Sequence, residues 1–498
     1  MSHAARTATL RVAAHGIQVT LLANADVMSG ARRRWEAGRD QIARHLSISW
    51  ADLDPRVLAA RLSRIVGDVV HGLHDMIASY EDALRVVESC RHAFDRIINE
   101  VRLPEHVPAS GSVVAAINGW KGTHVNQATV GAAIDAVTAL TDRQTDVGMG
   151  GTSDDLEALR ARFAELTPAE ADAVIAGLTP SQLAALGDIL KDNSPWSTDG
   201  LSTWDRLEFT GDLLGKLSSD SIARLTAAIP WLEPSFDTTE VARTGAQSQT
   251  GTSASGIHLG MPTGSLWGSG TPGVVTFGDI RQGKFNDCWA ISALIAASRD
   301  NPSFIADGIR ENANGTISVR LFDDSGAPRW VTVTRDLPLT SEGAVLAATA
   351  KGALWPAYYE KALAQAYTGD IGNFSTKSPF YTPPEKGSYG ALEQDMQWSA
   401  VKYYTGVDSQ VVITGDPAAV ERAMNEGKQV LVGTRPVSPF ETPPAGYVTN
   451  HVFYVHHVEQ DTIVMANPWN DDPALQVRVS KADFQKWFLA PSTVDTPG

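Results

Sequence analysis

Cys288 stands at the head of the apolar run Trp289-Ala290-Ile291-Ser292-Ala293-Leu294-Ile295, and the residues that could act with it, His451 and Asn467, lie far downstream on segments of a different period. The apolar run reads as a buried helix, with Asn286 or Asp287 as its N-cap. Val448 to Val458 alternates as a strand: His451, Phe453, Val455 and His457 share one face, and Val452, Tyr454, His456 and Val458 the other. Thr462 to Ala466 reads as the next strand, after a turn at Glu459-Gln460-Asp461, and it ends at Asn467. Paired as a hairpin, the two strands put Asn467 beside His451 and leave His456 and His457 by the turn. A fold that unites the three residues must bring a helix N-terminus to the start of that hairpin.

At 498 residues the chain exceeds one ordinary core, and roughly two to four domains are expected. A hydrophobic fraction of 43% with 20% charged residues is a globular profile. The formal net charge of -16 argues against nucleic acid and against an anionic membrane surface as partners. No stretch is long and apolar enough for a membrane span, and Met1 to Ala25 lacks the core of a secretory signal. The two cysteines, Cys90 and Cys288, form no disulfide framework. The compartment therefore stays open: the cytoplasm, or export by a leaderless route.

The N-terminal half reads as all-helical. A long hairpin is expected over 1–105, its second helix starting at Asp54-Pro55 and carrying an apolar stripe at steps of three and four from Leu58 to Val101, with Cys90 on the stripe. A small helical domain is expected over 106–235. Leu166-Thr167-Pro168-Ala169-Glu170 and Leu178-Thr179-Pro180-Ser181-Gln182 each spell a capping box with proline at the first helical position, and Leu217-Ser218-Ser219 starts a third such unit. Ser, Thr, Gly and Pro then dominate 236–273, which reads as a linker. The remainder, 274–493, carries the candidate chemistry.

Catalysis by a cysteine needs a thiolate, a histidine that takes and returns the proton, a group that orients the imidazole, and donors for the oxyanion. Cys288 at a helix start, His451 and Asn467 supply the first three. Gln282, six residues before the cysteine in a turn eased by Gly283, is the candidate oxyanion donor. One cysteine and scattered histidines give no zinc spacing, so no metal is expected.

These residues resemble the calpain family of cysteine proteases. Gln282-Gly283-Lys284-Phe285-Asn286-Asp287-Cys288-Trp289 is similar to its nucleophile segment, with Asn286 where glycine is usual. Asn450-His451-Val452-Phe453-Tyr454-Val455 is similar to its histidine strand, with Asn450 replacing glycine, and Asn467-Pro468-Trp469-Asn470 to its asparagine segment. Trp330-Val331 to Asp336-Leu337-Pro338, Leu354-Trp355-Pro356, Glu360-Lys361-Ala362 and Ser480 to Trp487 resemble intervening and final elements. The resemblance implies an α+β, papain-like, two-lobed cysteine endopeptidase acting on protein or peptide substrates. It assigns Cys288 as nucleophile, His451 as general base and acid, Asn467 as its orienter and Gln282 as oxyanion donor. It places Trp469 as a shield over the His451–Asn467 bond and Trp289 behind the nucleophile. Asp279 matches an acidic calcium-ligand position of the family, but Asp370 is out of register for the second ligand and no EF-hand loop is present, so no cofactor is expected.

The hairpin resembles the WXG proteins exported by type VII secretion systems, through Trp50 in the turn Ser49-Trp50-Ala51-Asp52. Asp52 stands where that family has glycine, and Tyr80 lacks an acid four residues on. This resemblance implies a secretion-system partner and an exported effector. Two other readings stay open: an acyl transferase on the same fold, and an adaptor whose helical half is the working part.

Overall fold

The computed structural model describes residues 125–147, 153–191, 201–238, 256–367 and 387–497, apart from breaks at 269, 394, 413–414, 439, 470–472 and 474–475. Contacts divide the chain into two units, Met1–Ala116 and Ile117–Gly498, and every described residue belongs to the second. The expected hairpin over 1–105, with Trp50 and Cys90, lies outside the described residues.

Six helices come first: α1 (Gln127–Val147), α2 (Ser153–Glu165), α3 (Pro168–Gly177), α4 (Pro180–Lys191), α5 (Thr203–Leu214) and α6 (Ser219–Ala228). Their starts are written locally. Thr167 accepts the Glu170 N–H while Glu170 accepts the Thr167 N–H at 2.9 Å, a complete capping box. Thr179 and Gln182 repeat the exchange at 3.0 and 3.2 Å, and Ser218 accepts the Ser221 N–H to start α6. Leu159, Val174, Leu183, Leu186, Leu214 and Leu225 close the bundle core. Among the described residues no single helix is long and apolar enough to cross a membrane.

The remaining elements mix helix and strand. They are β1 (His258–Gly260), α7 (Cys288–Asp300), α8 (Pro302–Ala306), β2 (Ile309–Glu311), β3 (Ile317–Phe322), β4 (Pro328–Val333), β5 (Leu337–Leu339) and α9 (Trp355–Ala366). Then follow α10 (Ser399–Thr405), α11 (Pro417–Asn425), β6 (Gln429–Thr434), β7 (Val452–Val458), β8 (Thr462–Ala466), β9 (Val477–Ser480), α12 (Phe484–Trp487) and β10 (Phe488–Val494). The strands form three antiparallel sheets: β1-β5, β2-β3-β4 and β10-β6-β7-β8-β9.

The strand period sorts the five-stranded sheet between two cores. Val452 and Tyr454 of β7 face a core shared with α7, α9, α10 and the three-stranded sheet. Phe453 and Val455 face the other way, into a core closed by α11 and α12. Helix α9 is buried on every side, including its charged residues Glu360 and Lys361. A helix without a solvated face belongs at the centre of a fold.

Two sequence expectations change in detail. The range 236–273 is not all linker: β1 pairs with β5, Ile257 and Leu266 are buried, and the Leu266 carbonyl accepts the Trp355 N–H at 3.0 Å. Isolated apolar residues anchor this stretch, and an average over its composition hides them. The strand carrying the histidine begins at Val452 rather than Val448. Asn450 takes a left-handed backbone, with φ of 51°, which interrupts the extended run and which asparagine and glycine tolerate best.

Candidate active site

Helix α7 begins at the thiol. Asp287 is its N-cap by position, but its carboxylate does not cap. The helix is fastened to β7 at three points along its length. Ser292 Oγ donates to the Val452 carbonyl at 3.0 Å, and Arg299 donates to the Val455 and His456 carbonyls at 3.0 and 2.9 Å. The last two lie where the β7–β8 register shifts, so the guanidinium bonds carbonyls at a break in the ladder. This fastening brings Cys288 to the start of β7, beside the backbone of Val452, the residue after His451.

His451 is held from both sides. Its backbone N–H donates to Thr434 Oγ1 at the end of β6, and its carbonyl accepts the Thr434 N–H, both at 2.9 Å. Its Nε2 lies 3.0 Å from Asn467 Oδ1, and the Trp469 N–H donates to the same oxygen at 3.0 Å. That backbone donor identifies the Asn467 atom as the carbonyl oxygen, which can only accept. Nε2 therefore carries the proton and Nδ1 keeps its lone pair free for a proton from elsewhere. The Trp469 ring lies 4.7 Å from the imidazole, centroid to centroid, and Phe453 meets it edge-on at 5.1 Å. Both rings keep water from the His451–Asn467 bond, which strengthens it.

Burial governs the resting protonation. It pushes the Cys288 thiol up to about 12, against smaller opposing help from the Val452 backbone, while the Asp287 charge pushes the same way. It pushes the His451 imidazole down to about 4, with the Asn467 hydrogen bond opposing. At neutral pH the two groups rest as thiol and imidazole. Moving the proton from one to the other creates both charges together, and their mutual attraction offsets part of the desolvation cost.

Gln282 lies in the same neighbourhood, its backbone N–H donating to the Pro468 carbonyl at 2.8 Å. The loop before Cys288 is thereby tied to the asparagine segment. Its side-chain Nε2 donates to the Phe285 carbonyl at 2.8 Å and to Asp287 Oδ1 at 3.2 Å, so both amide hydrogens are engaged. Donation to an oxyanion requires one of these bonds to open. Gly283 is needed for space: a Cβ there would lie 2.0 Å from the Leu346 carbonyl oxygen. Trp289 is fully buried, donates Nε1–H to the Leu392 carbonyl at 2.7 Å and packs on Tyr367, behind the thiol.

The other histidines stand apart. His456 and His457 meet through their Nδ1 atoms at 2.7 Å, and His457 bonds Glu459 at 3.0 Å, at the far end of β7. Asp279 closes a capping box with Thr276 and accepts from Trp355 Nε1 at 3.3 Å. No group of three or more His, Cys, Asp or Glu side chains suited to a metal occurs among the described residues.

Two features of the site escape a reading of motifs alone. Asp287 and Glu360 meet behind the thiol as a buried carboxyl pair. Residues 230–238, after the helical bundle, press against the segment that leads to Cys288: Phe236 packs edge-on against Phe285 and Tyr389, and Glu233 pairs at 2.7 Å with the fully buried Lys361. The available signal was the charged pair Glu360-Lys361 inside an otherwise apolar helix. No family model matches the chain, and no curated protein matches it.

Proposed function

We propose that the part of the chain from about residue 256 onward is a cysteine endopeptidase of papain-like architecture and calpain type. One lobe is built on α7 and α9, and the other on the five-stranded sheet. An extended peptide lies between them.

The observation that carries this reading is one arrangement of three groups. The Cys288 thiol lies beside the backbone one residue beyond His451, while His451 Nε2 is committed to Asn467 under the Trp469 ring. His451 Nδ1 takes the Cys288 proton as sulfur attacks the substrate carbonyl carbon and the carbonyl electrons move to oxygen. The C–N bond then breaks, and the same proton passes from Nδ1 to the leaving amine. Water attacks the thioester, gives a proton to Nδ1 and displaces the thiolate, which recovers that proton. The N-terminus of α7 favours the anionic sulfur throughout.

Replacing Cys288 with alanine tests the reading. Casein hydrolysis and labelling by an epoxide thiol reagent are both expected to vanish, with the unfolding transition retained. An alanine variant that still cleaves casein at the wild-type rate overturns the assignment.

A further inference from the structure

The mechanism above makes no use of the carboxyl pair. Asp287 and Glu360 are 1% and 0% exposed and come from different elements, the N-cap of α7 and the middle of α9. The two carboxyls are close enough for the charge on each to act on the other. Gln282 donates to Asp287 Oδ1, and the Ala348 N–H donates to Glu360 Oε2. Asp287 Oδ2 and Glu360 Oε1 have no protein donor. Two ionised carboxylates offer acceptors only, and two such charges cannot sit side by side in an interior. A proton between them supplies the missing donor and removes one charge.

The groups around the pair leave it uncompensated. Cys288 follows Asp287 directly. The buried hydroxyls of Tyr389 and Tyr404, from the 387–392 segment and from α10, are near enough to feel the charge of the pair and bond neither carboxyl, and Tyr359 lies beside Tyr404. Glu233 is near Tyr389 but is taken by Lys361, which also bonds Thr334 and Asp336 and so faces away from Glu360. Among the described residues no salt bridge reaches either carboxyl. Burial pushes the Asp287 carboxyl up to about 7 and Glu360 well above its ordinary range, and a charge on Asp287 raises the thiol in turn.

We propose that Asp287 and Glu360 are positioning residues of the protease: Asp287 holds the Gln282 amide, and the two together, by keeping or releasing a shared proton, set how readily Cys288 becomes a thiolate. The proposal rests on Cys288 being the nucleophile. While the pair holds its protons, no carboxylate charge opposes the sulfur anion. As pH rises the pair gives a proton to solvent, gains negative charge beside the sulfur, and works against thiolate formation.

The test follows alkylation of Cys288 by iodoacetamide in the full chain, read by mass spectrometry of the Cys288 peptide, in parallel with peptide hydrolysis across pH. In the wild type the logarithm of the alkylation rate should rise with pH and bend to a shallower slope near neutrality. Asp287→Asn, which can still accept from Gln282, should remove the bend and speed labelling about tenfold at about pH 8. Glu360→Gln should lower the pH at which Asp287 ionises, slowing labelling several-fold at about pH 6 while leaving it unchanged at about pH 8. Hydrolysis should follow, its alkaline fall lost in the first variant and shifted to lower pH in the second. A merely structural pair would change labelling by one factor at every pH. That result, or a wild-type profile of unbroken unit slope, overturns the proposal even if neither variant folds. Wild-type labelling with the expected bend but no peptide hydrolysis would instead overturn the protease reading alone.

Discussion

The helical bundle and the thiol site satisfy their polar groups by opposite means. In the bundle, Thr167 with Glu170 and Thr179 with Gln182 close their helix starts within a few residues. At the site, Asp287 occupies the same N-cap position on α7 and does not cap it. Its carboxylate turns inward to Gln282 and to Glu360, far away in sequence. A helix end capped by its own side chain is stable but chemically closed. One left uncapped keeps its backbone donors and its dipole available to a sulfur anion or an oxyanion, and must take its support from distant residues.

If that contrast is right, the largest losses of stability come from distant contacts. Replacing Glu233 with alanine leaves Lys361 buried without its partner, and the expected cost is about 3–5 kcal/mol in urea unfolding. Adding Lys361→Met should restore most of it, because the uncompensated charge is then gone. A Glu233→Ala cost below about 1 kcal/mol would mean that this pair does not couple the 230–238 segment to α9.

The next effect is on pH dependence. The folded state holds the His451 imidazole at about 4, below the ordinary 6.5. Between these values the unfolded chain binds a proton that the folded chain refuses. The His451 contribution is therefore fully present above 6.5 and is lost as pH falls towards 4, by roughly 3 kcal/mol in all. Asp287, raised from 3.8 to about 7, works in the reverse sense: its contribution is present below the ordinary carboxylate value and is lost as pH rises through 7. Unfolding of the wild type and of His451→Gln, compared at about pH 7.5 and pH 4.5, isolates the first term. The wild type should lose about 2–3 kcal/mol more than the variant on acidification.

Smaller still is the loss of the imidazole's anchor. Asn467→Ala deprives the Nε2–H and the Trp469 N–H of their acceptor, and kcat/KM should fall about 10–100-fold. The shape of its pH profile should shift with it, since the hydrogen bond supports the protonated imidazole. At the lower end, Thr167→Ala opens one capping box and should cost about 1 kcal/mol, with no change in the rate of any site chemistry.

Much of this was legible in the chain. Thr-Pro-x-Glu and Thr-Pro-x-Gln announce helix starts because cap, proline and box partner all act within one turn. The alternation of β7 foretold the two faces from Val452 to Val455, since a strand's side chains point by parity, but the register shift after Val455 turns Val458 to the Phe453 face instead of the Val452 face. Gln282, Cys288, His451 and Asn467 were visible as candidates because their residue types and order suit one chemistry. The four-residue delay of β7 was not legible, because the φ of Asn450 depends on its surroundings. Nor was the anchoring of Ile257 and Leu266 within a Ser/Thr/Gly/Pro-rich stretch.

The sequence by itself determined the capped helix starts, the facing of Val452 to Val455 and the identities of the chemical groups, because each depends on neighbours within a turn or a pleat. Tertiary structure alone decided which polar group answers which. It turned Asp287 from a cap into half of a carboxyl pair, engaged both hydrogens of Gln282, and matched Glu233 of one region to Lys361 of another. The reason is the cost of an unpartnered polar atom in the interior: it must be met by whatever the fold brings close, and sequence distance does not register in that account.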